Sequence, residues 1–76
     1  MKIWAYIFIT TNRPRKVVQA IRKIKGVVKA DALFGMPDAI AIVEGSDIAS
    51  MDAVIDKIVQ VKGVKETDSK VARWIK

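Results

Sequence analysis

The chain opens on a run in which Ile3, Ala5, Ile7 and Ile9 alternate with Trp4, Tyr6 and Phe8. Period-two alternation is the mark of a strand, and here both faces of it are apolar. Thr11 or Asn12 can cap a helix that Pro14 opens, because proline lacks only an N–H that the first turn would leave unpaired. Val17, Val18, Ile21 and Ile24 then fall on one helical stripe, which Gly26 is expected to end as a left-handed cap. Residues Val27 to Phe34 read as a second strand, and Gly35-Met36-Pro37-Asp38 turns it back into a third, Ala39 to Val43. Ser46 or Asp47 caps a second helix with Ile48, Met51, Ile55 and Ile58 at helical spacing, and Gly63 stops it before a last strand from Val64 to Ile75.

The order is β-α-β-β-α-β, and an internal repeat runs through it. Ile24-Lys25-Gly26-Val27 in the first half matches Val61-Lys62-Gly63-Val64 in the second. Two β-α-β units with right-handed crossovers interleave into a ferredoxin-like α+β fold, an antiparallel sheet in the order four, one, three, two with both helices on one face. The first and third strands are then central. The third strand sets Ala39, Ala41 and Val43 against Ile40 and Ile42, so it too is apolar on both sides, unlike a strand with one solvated face. The helices cover one side only. A second copy packed on Trp4, Tyr6, Phe8, Ile40 and Ile42, giving a dimeric α+β barrel, is the economical cover for the other.

Length sharpens that expectation. A single domain of 76 residues buries only about 60% of the surface its unfolded chain exposes, so association adds burial that the fold needs. With no Cys and no His, the chain has no disulfide frame, thiol nucleophile, imidazole base or usual zinc site, and no cofactor or metal is expected. The first apolar run stops at Thr10-Thr11 without a small-residue cleavage site, nothing is long enough to span a bilayer, and a cytoplasmic location is expected.

The net charge of +6 is uneven: up to Ala30 there are eight Lys or Arg and no acid, and from Asp31 onward six bases and eight acids. Such a field favours encounters with anions, nucleic acid among them, but it is also what a solvated basic helix face looks like. An RNA-binding module would use Trp4, Tyr6 and Phe8 for stacking, but it would also need rings on the third strand, where Ile40 and Ile42 stand. DNA contacts through Arg13, Arg15, Lys16, Arg22 and Lys23 would be to phosphates, weak and non-specific. The acids Asp31, Asp38, Glu44 and Asp68 show no catalytic spacing and no phosphate loop is present, so an enzyme is not expected.

Four stretches carry a resemblance to a known family: Ile24 to Val28, Phe34 to Asp38, Val43 to Asp47, and Val61 to Val64 with Thr67. In order and spacing they resemble the effector domain of the Lrp/AsnC feast/famine transcriptional regulators, the RAM domain, over essentially the whole chain. The likeness is to a stand-alone member without the helix-turn-helix of full-length regulators. It implies a domain that dimerises through its sheets, assembles into rings such as octamers or decamers, and binds amino acid effectors between dimers near a hairpin Gly-x-x-Asp. That motif is Gly35, Met36, Pro37 and Asp38 here, with Thr67 and Ser69 on the last strand as further candidates. Pro37 stands where many members carry an aromatic or other side chain, so the resemblance does not carry over the effector's identity. It also admits a basic accessory role in which the chain co-assembles with full-length regulators.

Overall fold

The computed structural model describes residues 2–73 and residue 75. Its elements follow the order β1 (Ile3–Thr11), α1 (Pro14–Ile21), β2 (Val27–Ala32), β3 (Ala39–Gly45), α2 (Ile48–Val59) and β4 (Val64–Val71). They form one four-stranded sheet in the order β2-β3-β1-β4, with every neighbouring pair antiparallel. This is the ferredoxin-like arrangement, with β1 and β3 at its centre.

The internal repeat is a structural repeat. Gly26 has φ +102° and Gly63 φ +103°, values that favour glycine. The residue after each closes the same turn: Val27 N donates to Ile24 O at 3.2 Å, and Val64 N to Val61 O at 3.1 Å. At Gly26 a side chain would also collide with α2, since a Cβ would lie 2.6 Å from Val54 Cγ2.

Several boundaries differ from the sequence expectation. Helix α1 ends at Ile21, with Arg22 as its C-cap, so Gly26 turns the chain into β2 instead of capping the helix. Its N-cap is Arg13 without a side-chain bond; Thr11 Oγ1 accepts the Arg13 N–H instead, at 3.0 Å. Strand β2 stops at Ala32 and β4 at Val71, both short of expectation, and Trp74 in the expected last strand lies outside the described residues. At α2 the cap is Asp47, in a reciprocal box: Ser50 N donates to Asp47 Oδ1 at 2.7 Å and Asp47 N to Ser50 Oγ at 3.2 Å. Those bonds stabilise the ionised carboxylate, and the Asp47 pKa falls below its ordinary value.

The core lies between the helices and one sheet face: Ala5, Ile7, Ile9, Ala30, Ala39, Ala41 and Val43 from the strands meet Val17, Val18, Ile21, Met51 and Ile58. Ile55 is partly buried against it, but Ile48 is largely exposed. No helix among the described residues is long and apolar enough to cross a membrane.

Candidate functional site

Cross-strand register decides what faces away from the helices. Phe8 lies opposite Ile40, Tyr6 opposite Ile42 and Trp4 opposite Glu44. Paired residues share a face, so the five residues expected at a dimer interface form one apolar patch. Trp4 is 41% and Tyr6 40% exposed, against 0% for Ile7 and Ile9 on the same strand. On the flanking strands the same face carries charge: Lys29 and Asp31 pair with Ile42 and Ile40, and Glu66, Asp68 and Lys70 pair with Thr10, Phe8 and Tyr6. An apolar centre with a charged rim is the anatomy of a protein interface.

One end of the patch is closed by a polar group. Trp4 Nε1–H donates to Glu44 Oε2 at 2.9 Å, and Lys2 Nζ lies 3.1 Å from Glu44 Oε1. Lys2 first and Trp4 second hold the Glu44 carboxyl below its usual range.

At the other end, the hairpin between β2 and β3 bends over the sheet. A cavity of about 360 Å³ opens there, lined by Phe8, Thr10, Met36, Pro37, Glu66, Thr67 and Asp68. Its apolar wall comes from Phe8, Met36 and Pro37, and its charge from two carboxylates, with no cation among the lining residues. Of the expected ligand residues, the structure brings Met36 and Pro37 to the cavity; Thr67 also borders it, but its pairing with buried Ile9 puts its side chain on the helix side of the sheet. Gly35, with φ +99°, sits on the hairpin with no atom within 4 Å of where a Cβ would be.

Asp38 does different work. Its Oδ2 accepts the Thr11 N–H at 2.9 Å, its own N–H donates to Ile9 O at 3.0 Å, and its carbonyl accepts from Leu33 N at 2.8 Å. These bonds tie the hairpin to the end of β1 and leave Asp38 outside the cavity lining. Ser69 pairs with Ile7, which puts it on the helix side of the sheet, away from the cavity. Glu66 and Asp68 had no signal of their own in the sequence. Only the register of β4 on β1, with its shift between Thr10 and Thr11, brings them to the hairpin.

The hairpin also carries exposed apolar side chains: Leu33, Phe34 and Met36 all stand out to solvent. Phe34 is the extreme case, with its side chain clear of the fold. Such residues beside a cavity mark a surface that a neighbouring chain or a ligand can cover.

The comparisons with known proteins point in one direction. The family model described as "Lrp/AsnC ligand binding domain" matches residues 5–73. Among solved structures, TTHA0845 from Thermus thermophilus is 26% identical, with a TM-score of 0.87, over 97% of this chain and 96% of that one. AsnC from E. coli is 16% identical with a TM-score of 0.84, over 96% of this chain but 52% of that one. The transcriptional regulator NMB0573 of Neisseria meningitidis, solved as an L-Met complex, is 19% identical with a TM-score of 0.77, over 95% of this chain and 50% of that one. At these identities the last two show a shared fold, and this chain spans about half of each regulator. No curated protein matches it in sequence.

Proposed function

The chain belongs to the Lrp/AsnC ligand binding domain family, and from that premise we propose that it is a regulatory module that binds an amino acid at its hairpin corner and works as a homodimer closed over the open sheet face. The observation that carries this reading is the cavity formed by Met36 and Pro37 against Phe8, Thr67 and the carboxylates of Glu66 and Asp68. Its volume of about 360 Å³ falls in the range of small-molecule sites. An amino acid places an ammonium group beside an aliphatic side chain, and the cavity offers carboxylates beside an apolar wall.

Asp38 adds to this in two ways. Its Oδ2 fixes the hairpin on Thr11, and, although Asp38 lies outside the cavity lining, its second oxygen takes the ammonium of a ligand that extends past that lining along the backbone of Gly35 to Pro37. A charge-assisted hydrogen bond there, shielded by a neighbouring dimer, gains about 1.5 to 3 kcal/mol. Thr67 only borders the cavity from β4, and Ser69 stays outside the site. Exposed Leu33, Phe34 and Met36 give the hairpin the surface to join dimers into a ring, or to join them to full-length regulators. Regulation, not catalysis, is the role this arrangement fits, in the cytoplasm where amino acid levels are sensed.

A thermal-shift screen with the twenty amino acids tests the reading, because a ligand of the folded state at 100 times its dissociation constant adds about 2.7 kcal/mol. The best ligand should then lose about tenfold in affinity, near 1.4 kcal/mol, on Asp38→Asn with the fold intact. A screen without a hit would sink the effector reading. A hit that Asp38→Asn leaves unchanged would confine Asp38 to holding the hairpin.

A further inference from the structure

The hairpin cavity uses none of the chain's excess of cations. We propose that these cations build a second, separate site, which binds the phosphate groups of a small polyphosphate-bearing ligand between the start of α1 and the turn before β4. A cavity of about 440 Å³ there is lined by Arg13, Lys16, Lys62 and Gly63. A neighbouring cavity of about 380 Å³ is lined by Arg13, Pro14, Arg15 and Lys16. Sharing Arg13 and Lys16, the two make one groove, and no carboxylate lines it.

Charge pairing separates these cations from Lys2, Arg22 and Lys29 in the first half of the chain; Lys23 and Lys25 are in no ion pair among the described residues either, but they line neither cavity. Lys2 is paired with Glu44, Lys29 with Asp31, and Arg22 with both Asp31 and the Ala30 carbonyl. Among the described residues, Arg13, Arg15, Lys16 and Lys62 take part in no ion pair. Gathering like charges around a concavity costs electrostatic energy and focuses a positive field into it, so a multiply charged anion is the complement. Arginine guanidinium groups suit phosphate in particular, since their fork donates two parallel hydrogen bonds.

The groove is held together from within the fold. Thr11 is 4% exposed, the buried polar residue among those described. Its Oγ1 donates to the Gly63 carbonyl at 2.6 Å and accepts the Arg13 N–H at 3.0 Å. One hydroxyl thus joins the two walls of the groove, the Arg13 segment and the Lys62-Gly63 turn. Gly63, at φ +103°, lies close against α1, since a Cβ there would come within 3.0 Å of Val17 Cγ2. The cations converge on a concave, small-molecule-sized space, and Arg22 past the far end of α1 is already bonded, so a compact ligand fits better than a long nucleic-acid backbone.

Calorimetric titration of the full chain with sodium tripolyphosphate, at a salt concentration of about 0.1 M that screens distant charges, tests the proposal. Saturable binding is expected, weakened about tenfold or more by Arg13→Gln combined with Lys62→Gln. Lys23→Gln combined with Lys25→Gln removes the same charge from outside the groove and should cost less than about threefold. All four side chains are exposed, and unchanged melting of the ligand-free variants confirms that the fold is intact. Absence of saturable binding, or equal losses in the two double variants, overturns the site. So does a DNA duplex of about 20 base pairs that binds through the same residues and is not displaced by tripolyphosphate, which would make the groove a nucleic-acid surface.

Discussion

The two faces of this sheet come from the same alternating strands, yet they are finished in different ways. On the helix side β3 presents Ala39 and Ala41, small enough for helices to lie close, and β1 fills the gap with Ile7 and Ile9, all four fully buried. On the other side the same strands present larger groups that the chain leaves incompletely covered: Trp4 and Tyr6 are exposed, and Phe8, Ile40 and Ile42 are partly buried. Internal packing is complete on the first face. On the second, the size of the residues and the charged rim around them suit cover by another chain.

The largest effect should come from damaging the finished face. Ile7→Ala removes part of a fully buried side chain at the centre of the sheet and is expected to cost about 2 to 5 kcal/mol. Against a total of about 5 to 15 kcal/mol for a native domain, that leaves a marginal fold, read as a large drop in melting temperature. If the melting temperature hardly moves, the core is not where the buried side chains place it.

An equally drastic change on the open face should leave the single fold nearly untouched and break the association. Ile42→Lys is the sharper choice of variant. Its cross-strand partners are Tyr6 and Lys29, whereas Ile40 lies opposite Asp31, which would pair with an introduced lysine. An unpaired charge in a closed interface costs several times what it costs on a wetted surface, where substitutions stay within about 0.5 kcal/mol. Light scattering should show a dimer for the parent chain and a folded monomer for the variant. A parent that is monomeric at micromolar concentration would remove the reason for the open face to be apolar.

Much of this contrast can be read in the sequence, because it rests on local pattern. Alternation marks β1 and β3 as apolar on both faces, the repeated Gly26 and Gly63 punctuate the two halves alike, and Asp47 stands where a helix cap is needed. The hairpin corner is less legible, since it depends on register. Between its terminal Val64 and Val71, strand β4 runs Lys65-Glu66-Thr67-Asp68-Ser69-Lys70, polar throughout, so no hydrophobic period within that stretch says which set faces the cavity. A one-residue slip would exchange Thr67 and Ser69 for Glu66 and Asp68, and the shift at Thr10/Thr11 that fixes the choice has no local signature. Asp38 is hidden for a related reason. Its partner Thr11 is 27 positions away in the chain, so its bond to β1 follows from the fold and not from the turn that contains it.

The smallest expected effect lies on the rim, where Glu44 holds Trp4 and Lys2 at the border between patch and solvent. A carboxyl whose pKa is lowered in the folded state binds its proton less readily there than in the unfolded chain. Its contribution is therefore complete above the ordinary glutamate range and is lost as pH falls through the lowered value. Lys2 is the larger cause and Trp4 the second, so the two can be separated. In an NMR titration of the Glu44 carboxyl, the midpoint should rise towards the ordinary value on Lys2→Gln, and by less on Trp4→Phe. High salt should imitate part of the Lys2 change and little of the Trp4 change, because screening weakens an exposed ion pair more than a neutral donor's hydrogen bond. The opposite ranking would mean that the indole, an edge of the apolar patch, anchors Glu44 more firmly than its charged partner does. The rim would then be an extension of the apolar face and not its boundary.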